Sequence, residues 1–375
     1  MRAKVQCEPG EAENTLHREV RSNIQSSTMS VIRRAEKAGR RFLNPVPTTV
    51  GGPGMIFKIL PMMLSSREER VPRRALGPFR TDAAVYATPP ASGLRITWMG
   101  HSSLLVEMDG VRVLLDPVWD KRAAPVQWMG PKRFFAPPLT LEELPRLDAV
   151  LVSHDHFDHL GKTTVRRLAG LQPEARWVTS LGVGAILRGF GVQAERITEL
   201  DWSETVQVAG PAGAACEITS LPARHFSGRS AFNRFETLWA SFVLRGSSAG
   251  GAGHTVYFGA DSGWWEGFAE IGAAYGPFDL TLLEIGAYNQ LWKAIHMGPD
   301  GAAQAFQDMG GAGMLMPIHW GLFNLALHGW RWPIERLLQL ADAERLKLWA
   351  PEPGVPTEVV GGVELRSDWW RRGLT

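Results

Sequence analysis

The sequence predicts an α/β protein built as a layered sandwich of two sheets, and three observations carry that expectation. The first part of the core consists of short apolar or alternating runs joined by turn signals. The last third alternates strand-like and helix-like runs. Between them, a dense group of histidines and acids follows a wholly apolar run. Hairpins followed by β/α alternation suit two stacked sheets better than one singly wound sheet.

Residues 1–29 are polar and lack the apolar stretch of a secretory leader, so they are expected to form a disordered tail. Residues 30–92 read as an irregular extension that packs on the core. Within it, residues 30–45 (SVIRRAEKAGRRFLNP) are basic and weakly helical. The apolar stretch 55–64 is interrupted by Lys58 and Pro61 and is half the roughly 20 residues a membrane span needs.

The core domain is expected over residues 93–375. Strands are predicted at 94–99, 103–108 and 111–115, and Asp109-Gly110 between the last two is a strong hairpin signal. Residues 149–153 (AVLVS) form a short, fully apolar strand. A helix at 163–168, a strand at 176–179 and a helix at 183–190 follow. Further strands are placed at 205–208, 217–221, 238–244 and 255–258. The chain then alternates: helix 265–275, strand 280–285, helix 299–309, strand 314–318, helix 333–342. Pro299 and Pro333 stand where a first-turn proline is tolerated.

Composition narrows the function classes. The 375 residues are 45% hydrophobic and 21% charged, as in a soluble globular protein. A net charge of +2 argues against nucleic acid as a partner. Cys7 and Cys216, with no CxxC pairing, exclude a disulfide framework and point to the cytoplasm. Any metal must therefore be held by imidazole and carboxylate.

The residues for such a site are concentrated in His154-Asp155-His156-Phe157-Asp158-His159. Three of the ten histidines fall within these six positions. In an extended segment, residues two apart point the same way, so His154 and His156 can converge on one ion. Asp158 and His159 lie further on and can serve a second. Asp155 is expected to support the site or carry a proton. Three more candidates follow later strands beside glycine: His225, Asp261 and His319. Singly, each reads equally well as a core histidine or turn aspartate; together with the cluster they form a ligand set. Zinc favours these donors and leaves a position for water at catalytic sites.

These stretches resemble the metallo-β-lactamase superfamily, and within it the group of N-acyl-phosphatidylethanolamine phospholipase D and its bacterial relatives. The matching segments are RFLNPVPT (41–48), TWMGHSSLLVEMDGVRVLLDPVW (97–119), VLVSHDHFDHL (150–160), PARHFSGRS (222–230), TLWASFVL (237–244), VYFGADSG (256–263), HMGPDGAAQAF (296–306) and MPIHWGLFNLA (316–326). The resemblance implies a four-layer αβ/βα sandwich with two Zn2+ per chain. It assigns His154, His156 and His225 to one zinc, and Asp158, His159 and His319 to the other, with Asp261 bridging.

The expected activity is a zinc-dependent phosphodiesterase of phospholipase D type, using a hydroxide shared by the metals, with Asp158 and Asp261 orienting it and passing its proton. The alternative is a soluble hydrolase acting on a small substrate such as a sugar-phosphate lactone. A non-catalytic or nucleic-acid-binding member is a third class, against which the complete ligand set argues. His101 reads equally as a substrate or supporting group and as a buried turn histidine; the resemblance puts His296 near the substrate. His254 and His328 are expected at the surface, and Asp116 as a turn or supporting carboxylate. Arg33, Arg34, Lys37, Arg40 and Arg41, with the stretch 55–64, suit peripheral membrane contact, or equally a solvated basic helix and core packing. A homodimer is compatible with all of these readings.

Overall fold

The computed structural model describes residues 32–51, 57, 61–62, 67–230, 232–248 and 251–372. The expected tail and most of the apolar stretch 55–64 lie outside the described residues. The basic segment 32–45 is not a helix. It forms a small antiparallel pair, β1 (Lys37–Ala38) and β2 (Arg41–Phe42), around Gly39 at φ +62°. With glycine at its centre and no apolar stripe, the segment has little to hold a helix together.

The core opens with β3 (Leu94–Gly100), β4 (Ser103–Met108) and β5 (Val111–Leu115). Asp109 and Gly110 both take positive φ, +50° and +90°, as the two-residue hairpin turn requires. Three parallel strands extend this sheet: β6 (Ala149–Val152), β7 (Arg176–Ser180) and β8 (Ile197–Leu200). Helices α1 (Lys162–Leu171) and α2 (Val183–Gly189) are the crossovers between them. Val165 and Leu168 of α1, with Val183 and Leu187 of α2, pack against Leu105, Leu114, Val150 and Trp177. Because β6 is buried on both faces, its sequence is an unbroken apolar run rather than an alternating one. Strand β8 was not anticipated. Its sequence, ITEL, is half-buried at the sheet edge and carries only a weak apolar signal.

A second, six-stranded sheet contains β9 (Thr205–Ala209), β10 (Ala215–Leu221), β11 (Ser241–Ser248), β12 (Gly251–Phe258), β13 (Leu280–Glu284) and β14 (Met314–Ile318). Residues 238–240, expected as strand, are irregular; Leu238 N–H bonds the Leu181 carbonyl instead. Helices α3 (Gly267–Tyr275) and α4 (Gly298–Asp308) connect its parallel strands, and α5 (Trp332–Glu344) follows β14. The last short strands are β15 (Trp349–Ala350), β16 (Thr357–Glu358) and β17 (Leu365–Arg366). Strand β16 returns to pair with β3 in the first sheet, making it seven-stranded.

Part of the tryptophan content has a structural purpose. Trp98 stacks on Trp320 at 5.4 Å between ring centres, and Trp369 meets both at 5.9 and 5.3 Å. The C-terminal segment thus props the loop that carries His319.

Candidate metal centre

Six of the site residues stand just past the carboxyl ends of strands. His101 follows β3, Asp116 follows β5 and His154 follows β6, all in the first sheet. His225 follows β10, Asp261 follows β12 and His319 follows β14, all in the second. Crevices beyond strand carboxyl ends are the usual place for sites in α/β sheets, because loops there converge without breaking the ladder. Several loops make sharp turns to do so: His101, Asp116, Ala260, Ala287 and His319 adopt positive φ of +37° to +61°. Such conformations cost on the order of 1–3 kcal/mol each and persist where the surroundings enforce them. At His319 the enforcement is visible, since a side chain at Gly286 would come within 2.0 Å of the His319 carbonyl oxygen.

Of the four donor groups that result among the described residues, two hold the expected ligands. His154, His156, His225 and Asp261 offer atoms that all lie within 4.8 Å of one another. His154 Nε2 is 2.9 Å and His225 Nε2 is 3.3 Å from His156 Nδ1. The second group holds His101, Asp158, His159 and His319, again within 4.8 Å. Asp261 Oδ2 stands between the groups, 3.2 Å from His159 Nε2, 3.1 Å from His319 Nε2, 3.7 Å from His225 Nε2 and 3.8 Å from His154 Nε2.

Surrounding hydrogen bonds decide which ring nitrogen is left for a metal. His159 Nδ1 donates to Asp116 Oδ2 at 2.6 Å, and His225 Nδ1 donates to the Ile295 carbonyl at 2.8 Å. Ser153 Oγ donates to Asp116 Oδ2 at 2.6 Å, which leaves it to accept from His154 Nδ1 at 2.9 Å. In each case the Nδ1 proton is spent outward and Nε2 is turned inward. Carboxylates and carbonyls serve the same purpose behind the histidines of metal sites generally.

The two groups differ in charge. Burial first, then the neighbouring imidazoles, holds His154 well below the ordinary histidine range, and burial also outweighs every other influence on His225 and His156. These rings are neutral. Burial works against charge at His159 too, but Asp261, Asp158 and Asp116 outweigh it and push His159 well up. His319 likewise rises, to about 10, through Asp261, Asp158 and Glu284 against the pull of burial. Burial raises Asp158 and Asp261, yet the histidines around them win and hold both well below the carboxylate range.

The donor set fits a pair of metal ions. It is all imidazole and carboxylate, it is buried, and His159 Nε2 and Asp261 Oδ1 have no hydrogen-bond partner among the described residues. A cation at each group would satisfy these atoms and replace the protons that His159 and His319 carry.

A cleft of about 320 Å³ opens over the centre, with His156, Asp158, Asp261 and His319 on its wall and Phe226, Trp292 and Leu325 among its apolar lining. His296 lines it as well, its Nδ1 bonded to Glu284 Oε2 at 2.7 Å. His101 does not line the cleft. It is buried behind Asp158, with Nε2 2.9 Å from Asp158 Oδ2, and its ring lies 4.0 Å from that of His319. Asp155 accepts from Gly228 N–H at 2.7 Å and supports the loop carrying His225. His254 and His328 are half-buried rather than at the surface; His254 pairs with Asp109 at 2.9 Å. Glu284 was missed in the sequence. It ends the apolar strand LTLLE fully buried, and accepts from Met297 N–H as well as His296. The N-terminal extension also reaches the centre, through Asn44 Nδ2 donating to the His225 carbonyl at 2.8 Å.

Comparison with known proteins agrees with this geometry. The model of the beta-lactamase superfamily domain matches residues 111–320. An uncharacterized protein of Mycobacterium tuberculosis is 48% identical over 283 residues, 75% of this chain and 73% of that one. N-acyl-phosphatidylethanolamine-hydrolyzing phospholipase D 1 of Caenorhabditis elegans is 36% identical over 259 residues, 67% of this chain and 71% of that one. Among solved structures, a metallo hydrolase from Ignicoccus hospitalis superposes with a TM-score of 0.53 at 22% identity, covering 70% of this chain and 97% of that one, a likeness of fold. With its strand-end histidines and aspartates gathered between two sheets, the chain belongs to the beta-lactamase superfamily and is a metal-dependent hydrolase of the metallo-β-lactamase fold.

Proposed function

We propose that the protein is a zinc-dependent phosphodiesterase of phospholipase D type, hydrolysing N-acyl-phosphatidylethanolamine or a related phospholipid. The observation that carries this reading is Asp261 standing between two donor groups at the floor of a partly apolar cleft. The likeness to the phospholipase D of Caenorhabditis elegans supports the substrate class. His154, His156 and His225 would hold one zinc; Asp158, His159 and His319 the other, with Asp261 shared. When bound, such a pair supplies Lewis acidity toward water and a phosphoryl oxygen.

The chain's own residues supply the rest. Asp158 and Asp261, both ionised, orient the attacking water and take up its proton. Asp158 is held for this by His101 Nε2, which makes His101 a positioning residue. His296 keeps Nδ1 on Glu284, which leaves Nε2 as the atom for substrate. The lipid's acyl chains would lie along the apolar lining of the cleft, with the protein touching the membrane peripherally. No helix among the described residues is long and apolar enough to cross a membrane.

The test is a substrate panel on zinc-reconstituted protein. N-acyl-phosphatidylethanolamine in mixed micelles should yield phosphatidic acid and an N-acylethanolamine, and His156→Ala should abolish the release. Turnover of water-soluble lactones with none of the lipid would replace this reading with the soluble-hydrolase one.

A further inference from the structure

Three arginines follow His225 or flank it, and they are not equivalent. Arg224 donates to Thr48, the Trp264 carbonyl and the Pro47 carbonyl. Arg229 donates to the Asp155 and Leu160 carbonyls. Arg224 is occupied in holding loops; Arg229 donates only through Nη1, but Asp155, Asp120 and Asp158 act on its charge and it does not line the cleft. Arg234 is different. It lines the cleft beside His156 and Asp158, and donates only through Nη1, to the Gly51 carbonyl at 3.0 Å. Among the described residues, its Nε and Nη2 have no acceptor and no carboxylate pairs with it.

The position of Arg234 is built. Its guanidinium carbon is 4.7 Å from the centre of the Phe226 ring, and Phe226 packs against His156 at 4.5 Å between ring centres. Gly228, at φ +139°, allows the approach, since a Cβ there would come within 2.9 Å of Arg234 Cα. Half-buried and without a counter-charge among the described residues, the cation costs free energy that an anionic ligand would offset. The unspent Nε–Nη2 edge is the part of the guanidinium fork that matches two oxygens of a phosphoryl group.

We propose that Arg234 is a specificity-determining residue that takes a phosphoryl oxyanion of the substrate through its Nε–Nη2 edge. The proposal rests on the phosphodiesterase reading above and deepens it: the cleft selects an anionic ester over a neutral one.

The experiment uses the full chain reconstituted with zinc, with inorganic phosphate as the probe in calorimetry and N-acyl-phosphatidylethanolamine in steady-state kinetics. Arg234→Gln retains an N–H donor for the Gly51 carbonyl but loses the charge and the fork; Arg234→Lys retains the charge. Arg234→Gln should weaken phosphate roughly tenfold and raise KM for the lipid more than it lowers kcat, with zinc content unchanged. Arg234→Lys should lose clearly less. Unchanged phosphate affinity in Arg234→Gln overturns the proposal, and so does equal impairment of the two variants, which marks a mere brace for Gly51. If the wild-type protein releases no phosphatidic acid, the phosphodiesterase reading fails alone. A loss of phosphate affinity in Arg234→Gln then still assigns Arg234 to a soluble phosphate ester.

Discussion

The two donor groups lie side by side around Asp261 and are equally buried, yet their metal-facing histidines shift in opposite directions. His154, His156 and His225 are neutral because burial dominates around them. His159 and His319 are cationic because carboxylates crowd them: Asp116, Asp158 and Asp261 around the first, Asp158, Asp261 and Glu284 around the second. In the first group His154 and His225 turn Nε2 lone pairs inward, and both face His156 Nδ1. The second is already neutralised by protons. The difference teaches that the ligand types alone do not set how a site accepts a metal; the carboxylates behind them do.

The largest effect should come from the residue the groups share. Asp261→Asn removes the charge between them, and hydrolysis should fall roughly 10²–10³-fold, together with zinc content at both positions. Loss of only one zinc per chain, measured by metal analysis, would show that Asp261 serves one group. A smaller loss is expected from Asp116→Asn. Asp116 supports His159 directly and His154 through Ser153, so zinc affinity at both groups should fall about 10–100-fold. An effect confined to one zinc would break the symmetry of that support.

The subtlest difference is in protons. Since the carboxylates push His159 and His319 up while burial holds His154, His156 and His225 down, loading the second group should release more protons than loading the first. Affinity for the second zinc should therefore rise with pH through neutrality, and affinity for the first should stay nearly flat. Calorimetric zinc titrations in buffers of different ionisation enthalpy measure this directly. Equal proton release at both steps would remove the contrast.

Much of the centre was legible in the sequence because metal ligation needs rare residue types at strand ends. The run 154–159 and the glycine-flanked His225, Asp261 and His319 announce themselves in that way, and the strands that carry them are short apolar runs. Glu284 gave no such signal. A single acid closing LTLLE reads as the polar end of a buried strand, and only the fold brings it against His296 and within 3.6 Å of His319. His101 reads in the sequence equally as a substrate or supporting group and as a buried turn histidine; which side of Asp158 it occupies depends on the turn at φ +56°. The basic segment around Gly39 misled in the other direction, since a weakly helical sequence there makes a hairpin at a positive-φ glycine. Arg234 was invisible for a related reason, because nothing in a sequence separates an arginine bonded to carbonyls from one with donors to spare.

The bond from Asn44 to the His225 carbonyl has a consequence for how the chain is handled by its surroundings. It ties the segment ahead of the core to a residue of the metal centre, so metal bound at the centre should help to hold that segment in place. A protease added to the protein would then act as a metal gauge: cleavage near residues 32–51 should slow as zinc is supplied and quicken as it is withdrawn.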